Sequence, residues 1–228
     1  MTPPQYKDEA VIGVTDYYRE RGNHNEISVY SIMKRAIDIT GSLFGLMLLS
    51  PLFVIIAILI KWEDPKGSVF FYQTRIGKDE KPFRMYKFRS MLTGAEDKLK
   101  ELLAQNEISG AMFKMKDDPR ITKIGKLIRK TSIDELPQLL NVLRGEMSLV
   151  GPRPPLSREV AEYTEYDKQR LSITPGCTGL WQVSGRNNLS FKQMVELDLA
   201  YIEQRCIWFD IKIMFRTVKA VVASQDAY

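Results

Sequence analysis

Apolar and polar positions are distributed unevenly along this chain. Residues 1–33 are polar, and from Ile39 to Ile60 the chain then runs 22 residues without a charge. A continuous helix of that length is about 33 Å long, close to the hydrocarbon thickness of a bilayer. Ser50-Pro51 stands at its centre. Proline removes one intrahelical hydrogen bond and its ring presses on the preceding turn, which predicts a kink there. The Ser50 hydroxyl is at hand to bond locally where Pro51 frees a carbonyl. Each half, about 16 Å, reaches about one leaflet deep. Lys34-Arg35 precede the run and Lys61 follows it, and basic flanks stay on the cytoplasmic side. Residues 34–61 are accordingly read as a re-entrant membrane helix, although a Pro-kinked spanning helix meets the same hydropathy equally well. A core helix of a soluble domain fits less, since such apolar runs are usually about 10 to 14 residues long.

Beyond this anchor the period changes. Ser68 to Arg75 and Phe83 to Met91 are rich in aromatic and β-branched residues and are separated by a polar turn from Gly77 to Pro82, which predicts a β-hairpin. Side chains two apart share a strand face, so Gln73 goes with Arg75 and Lys87 with Arg89. Symmetrical pairing about the turn gathers all four on one face. Three cations and an amide there suit phosphate or, equally, a solvated outer surface. Residues 93–107 are helix-compatible, with scaffold roles only. From Lys114 to Lys130 there are seven Lys or Arg against two Asp, with Ile121, Ile124, Leu127 and Ile128 at helical spacing. That predicts a basic amphipathic helix beside anionic lipid, with an ordinary surface helix as the plain alternative. Cys206 to Val222 mixes apolar and charged residues in the manner of an interfacial helix or a core one.

Leu136, Leu139, Leu140 and Leu143 follow helical spacing, and Gly145 stops the helix at a C-cap position. Pro137 belongs in a first turn, so the helix is expected to begin near Asp134-Glu135. Two readings of those acids compete. Ser132 and Glu135 fit a capping box, and acids in a first turn complement the helix dipole. The same terminus attracts phosphate, and an Asp/Glu pair holds magnesium or supplies a nucleophile. Downstream, the prolines around Arg153 present its guanidinium rigidly, either to a phosphate or as part of a plain turn. Gly176, Gly179 and Gly185 surround Trp181 and predict tight loops, near a ligand or beside a buried indole.

Composition narrows the chemistry. His24 is the sole histidine and lies in the polar arm, and Cys177 and Cys206 have no zinc-like spacing, so histidine catalysis and a soft-metal site are not expected. Any metal is expected to be a hard cation bound by oxygen. The net charge of +5 is concentrated locally beside the anchor, which fits a membrane surface rather than nucleic acid. Residues 1–33 lack a signal-peptide layout, and no small-residue cleavage site follows the apolar run, which is therefore expected to be retained.

Taken in order, Lys34-Arg35, Ser50-Pro51, Gln73-Thr74-Arg75-Ile76-Gly77, Lys87-Phe88-Arg89-Ser90-Met91, Asp134-Glu135-Leu136-Pro137-Gln138, Pro152-Arg153-Pro154 and Gly179 to Arg186 resemble the bacterial sugar transferases, the monotopic phosphoglycosyl transferases, over about residues 31–222. The resemblance implies an α/β protein: a small cytosolic catalytic domain over residues 62–228, with a β-hairpin and amphipathic interfacial helices, and an N-terminal re-entrant, Ser-Pro kinked membrane helix. It implies transfer of a sugar 1-phosphate from a UDP-sugar to undecaprenyl phosphate, releasing UMP, at the cytoplasmic face of a bacterial cell membrane. It places Asp134 as nucleophile, Glu135 as its partner at Mg2+, and Arg153, Lys87, Arg89, Arg75, Gln73 and Arg186 around the phosphates. The chain is expected to lack the multi-helix bundle of the larger members. The sugar, the polymer built, any self-association and the role of residues 1–33 stay open, with a simple hexose favoured by the Trp181 segment.

Overall fold

The computed structural model describes residues 27–95, 118–185 and 189–223. Arg186, most of the 93–107 helix, the 114–117 end of the basic segment and most of the polar arm fall outside them. The apolar run forms part of one helix, α1, Ile27–Glu63, with Pro51 inside it. It starts a full seven residues before the predicted membrane segment. Pro51 leaves the Met47 carbonyl without its usual partner, and the Ser50 hydroxyl donates to that oxygen at 2.8 Å, as the sequence pattern anticipates. α1 is long and apolar enough to cross a membrane. It is not a soluble-core helix, because Phe44 is 64%, Met47 71%, Leu48 63% and Ile58 59% exposed.

The opposite side of α1 is fastened to the rest of the protein at both ends. Near the start, Tyr30 and Lys34 donate to Asp210 at 2.9 and 2.8 Å, Arg35 donates to the Val142 and Leu143 carbonyls, and Asp38 accepts from Ser148 and the Leu149 amide. Near the end, Ile56 and Ile60 pack with Phe88 and Ile128, and Glu63 accepts from the Lys123 and Ile124 amides. A carboxylate there offsets unpaired N–H groups at the start of the next helix.

The hairpin forms as predicted, from β1 (Phe70–Ile76) and β2 (Pro82–Phe88), antiparallel, with Phe71 opposite Lys87, Gln73 opposite Met85 and Arg75 opposite Phe83. The basic helix is shorter than the sequence suggests. α2 spans Lys123–Lys130, because Asp118 and Arg120 close on each other as an ion pair and Ile121 bridges to Met91. The leucine-patterned segment also differs at its start. Residues Ile133–Glu135 are a 3₁₀ turn, and the helix proper, α3, is Gln138–Arg144, with Pro137 at its N-cap and Gly145 at φ 80° closing it.

β3 (Ser148–Val150) and β4 (Gly176–Thr178) pair in parallel. Between them lie the short helices α4 (Ser157–Val160) and α5 (Glu165–Lys168); α6 (Leu180–Ser184), α7 (Phe191–Gln204) and α8 (Ile207–Ala223) follow. The largest cluster joins Val150, Leu180, Leu197, Tyr201, Phe209 and Ile213. α8 buries Phe209 and Ile213 while exposing Trp208 and Phe215, each 73%. It is thus a core helix on one face and an apolar surface on the other, which is why its sequence admits both readings.

Candidate active site

The carboxylate pair sits where the 3₁₀ turn meets α3, and the capping account of it does not hold. Ser132 is in the left-handed region, at φ 56°, and makes no side-chain cap. A non-glycine residue there carries local strain of about 1 kcal/mol. Glu135 is consequently not engaged in a box. Its Oε1 accepts from Lys87 Nζ at 2.6 Å, across from β2.

The two acids have opposite electrostatics. Burial pushes the Asp134 carboxyl up to about 6; Lys87 and Arg129 oppose this, and the Glu135 charge adds to it. Burial also pushes Glu135 up, but Lys87, Arg153 and Arg75 outweigh it and hold that carboxyl at about 2. One acid is thus a permanent anion clamped by cations, and its neighbour is a desolvated, basic carboxylate. Among the described residues no cation lies within ion-pair distance of Asp134.

Arg153 is delivered by the loop after β3. Gly151 donates to the Thr178 carbonyl and Gly176 to the Pro152 carbonyl, both near 2.8–2.9 Å. A Cβ on Gly176 would stand 2.0 Å from the Gly151 nitrogen, so glycine is what lets these backbones approach. The far side of the loop is held by β1: the Ile76 amide donates to the Pro155 carbonyl, and Arg75 Nη1 donates to the Pro154 carbonyl at 3.1 Å. Arg75 Nη2 also donates to Gln73 Oε1 at 2.8 Å, while its Nε is buried without a partner. Burial and the Arg153 charge lower the Arg75 guanidinium to about 10. A buried guanidinium with an unused donor, under the charge of a half-buried second one, suits an anion.

Glu135, Gln138, Arg153, Pro154, Gly176, Cys177, Gln182 and Met85 line a cleft. Asp134 lies buried beside it, 7% exposed. Gln73, Arg75, Lys87, Glu135 and Arg153 therefore come together with Asp134. Arg89 does not join them. It lies past the end of β2, where its guanidinium donates to the Asp64 carbonyl at 2.7 Å and faces Thr93, so strand alternation no longer governs its direction. Arg186 lies outside the described residues.

Three polar groups were not singled out from the pattern. Gln138 stands three residues after Glu135, a spacing that puts the two on one helical side, and it is 3% exposed in the cleft wall. Gln182 follows Trp181 on α6, where only the glycine spacing signalled a loop near a ligand. Arg129 belongs to the basic stripe of α2, and its Nε donates to Ser90 Oγ at 2.9 Å; no local period announces that contact.

Asp134 and Glu135 also fit a magnesium ion. Among the described residues no group of three or more His, Cys, Asp or Glu side chains gathers as a protein cage. Magnesium takes one or two carboxylates and completes its shell from phosphates and water, and a buried carboxylate without an ion-pair partner gains from a cation.

The family model for bacterial sugar transferases matches residues 29–224. The chain is 51% identical over 197 residues to the galactosyl transferase CpsE of Streptococcus agalactiae serotype III, which covers 86% of this chain and 43% of that protein. It is 46% identical over 200 residues to the undecaprenyl-phosphate galactose phosphotransferase of Salmonella typhimurium, covering 86% and 42%. It is 40% identical over 201 residues to the exopolysaccharide production protein ExoY of Sinorhizobium fredii, covering 86% and 88%. The chain thus spans less than half the length of the first two relatives and nearly the whole of the third.

Proposed function

Since this chain belongs to the bacterial sugar transferase family, we propose that it transfers a sugar 1-phosphate from a UDP-sugar to undecaprenyl phosphate through a phospho-aspartyl intermediate. The observation that carries this reading is the unequal carboxylate pair, a buried Asp134 at about 6 beside a cation-clamped Glu135 at about 2. An Asp134 oxygen attacks the β-phosphorus of the donor, and the bond from that phosphorus to the bridging oxygen breaks. UMP leaves with the bridging oxygen. A phosphate oxygen of the lipid then attacks the same phosphorus, the bond to Asp134 breaks, and the carboxylate is restored.

Each residue has a task in that sequence. A desolvated carboxylate is a better nucleophile than a hydrated one, and at about 6 Asp134 is still mostly ionised near neutral pH. Arg153 and Arg75, with Gln73 orienting the latter, offset the charge of the diphosphate and of departing UMP. Lys87 keeps Glu135 ionised and in place. Asp134 and Glu135 would hold the magnesium, which supplies charge neutralisation at the phosphates.

The same proposal places α1 as a re-entrant helix, both ends on the cytoplasmic side. It is supported by the attachment of both ends to one body, through Tyr30, Lys34, Arg35 and Asp38 at the start and Ile56, Ile60 and Glu63 at the end. A helix crossing to the far face would carry one of these attachments out of reach. The arrangement would seat the site at the depth of a polyprenyl phosphate head.

The test is UMP release by the purified protein with magnesium and a panel of UDP-sugars, with and without undecaprenyl phosphate. Sustained release needs the lipid and one sugar, and Asp134→Asn lowers it by about a thousandfold or more. Continuous release without lipid would make the protein a nucleotide-sugar hydrolase, and unchanged release by the variant would remove Asp134 from its role.

A further inference from the structure

Asn141 lies on α3, after Glu135, and is not among the described residues that line the cleft. It is nonetheless fully buried, and both ends of its carboxamide are engaged. Oδ1 accepts from the Tyr86 amide at 3.0 Å, and Nδ2 donates to the Arg84 carbonyl at 2.6 Å and to Glu146 Oε2 at 2.7 Å. The main-chain carbonyl of Asn141 accepts from the Glu146 and Met147 amides just past Gly145, which sets Glu146 beside the carboxamide.

The hairpin is a two-stranded sheet, so among the described residues the outer edge of β2 has no strand beside it. The N–H and C=O groups of such an edge must be satisfied in some other way. The Asn141 carboxamide meets one N–H and one C=O there, as the peptide of a third strand would. Those two groups flank Met85, which is 3% exposed, clusters with Val142 and Met147, and lines the cleft. Lys87 is two residues further along the same strand face, where it reaches Glu135.

β2 is therefore tied to the segment from Glu135 through α3 in two ways, by a half-buried ion pair and by a buried amide. Ion pairs open to water hold geometry weakly, whereas losing the amide leaves buried backbone groups unpaired. The next N–H and C=O on the same edge lie two residues away, about 6–7 Å. A shift of that size would carry Lys87 off Glu135, so the carboxamide selects one placement of the strand.

We propose that Asn141 is a positioning residue: standing in for a third strand, it fixes where β2 lies along α3 and so delivers Lys87 to Glu135. The inference rests on the phosphoglycosyl transferase reading above. It gives a residue outside the cleft a share in turnover.

A double-mutant cycle with Lys87 tests it, on the full chain in lipid nanodiscs with magnesium, undecaprenyl phosphate and the UDP-sugar that supports UMP release. Asn141→Ala lowers kcat/KM about thirtyfold when Lys87 is present and no more than about threefold in the Lys87→Met background, where the group it positions is already gone. Denaturant midpoints, by contrast, fall by a similar amount in both backgrounds. Should Asn141→Ala not fold, Asn141→Asp combined with Glu146→Gln carries the same cycle, since it keeps the acceptor for the Tyr86 amide and sets no two carboxylates together. An equal loss of turnover with and without Lys87 would make Asn141 a purely structural residue and overturn the inference. A wild-type protein that releases no UMP from any donor would instead mark the failure of the parent reading, and the inference would fall with it.

Discussion

Asp134, the proposed nucleophile, also ties folding free energy to pH. Its carboxyl is raised from an ordinary value near 4 to about 6, so the folded state holds the proton more tightly than the unfolded chain does. Stability from this group is full below about pH 4 and is lost as pH rises through about 6. With divalent cations removed, Asp134→Asn is expected to raise stability at pH 7 by about 2–3 kcal/mol and to have little effect at pH 4. Thermal melts at the two pH values check this. Magnesium held at the pair is expected to pull the Asp134 carboxyl below its metal-free value, so the acid limb of the first half-reaction is expected to lie below about pH 6 and to move to lower pH as magnesium is raised. Initial rates of UMP release against pH at two magnesium concentrations check this, and an acid limb that does not move with magnesium would argue against Asp134 as a ligand. At this scale the identities of the acids were legible in the sequence, but their inequality was not. It arises from Lys87, Arg153 and Arg75 gathering on Glu135 from β2, the loop after β3 and β1.

At the scale of elements, the hairpin, α3 and the proline-flanked loop are each short; backbone bonds tie the loop to β1 and β4, and the Asn141 side chain of α3 accepts from the Tyr86 amide and donates to the Arg84 carbonyl of β2. The parallel pairing of β3 with β4 is the tightest of these. Gly176→Ala sets a methyl 2.0 Å from the Gly151 nitrogen, which forces the strands apart and withdraws the loop that carries Arg153. The expected cost is about 2 kcal/mol or more, with a larger loss of UMP release than the stability change explains; denaturant unfolding beside the activity assay reads both. The hairpin, the Gly145 stop and the Ser50 bond to Met47 were legible because each follows from local stereochemistry. The start of α3 was not, since Ser132 to Glu135 spell a capping box by composition, and the box is displaced by the pull of Lys87 on Glu135. α2 was overextended for a similar reason: Asp118 and Arg120 pair with each other, and Ile121 is drawn into a bridge with Met91.

Across the whole molecule, a helix that exposes large apolar side chains is joined at both ends to one mixed α/β body. Burying seven or more such side chains in hydrocarbon is worth on the order of 10 kcal/mol, enough to hold the protein at a bilayer. If the helix is re-entrant, cysteines placed at Ser31 and Lys66, in a chain with Cys177 and Cys206 replaced by serine, are labelled by an impermeant thiol reagent only from the cytoplasmic side. Labelling of the two from opposite sides would defeat the hairpin.

The sequence by itself determined the apolar helix, the hairpin, the order of the motifs and the family they belong to. All of these are properties of neighbouring residues, carried by length, period and turn chemistry over a few positions. The tertiary structure alone decided that Glu135 meets Lys87, that Arg75 and Arg153 converge while Arg89 turns to Asp64, and that Arg129 reaches Ser90 from a helix whose pattern describes only a basic surface. Those partners are separated by 25 to 78 positions. Charge and hydrogen-bond partners at such distances are chosen by which backbones the core brings together, and no local period encodes that choice.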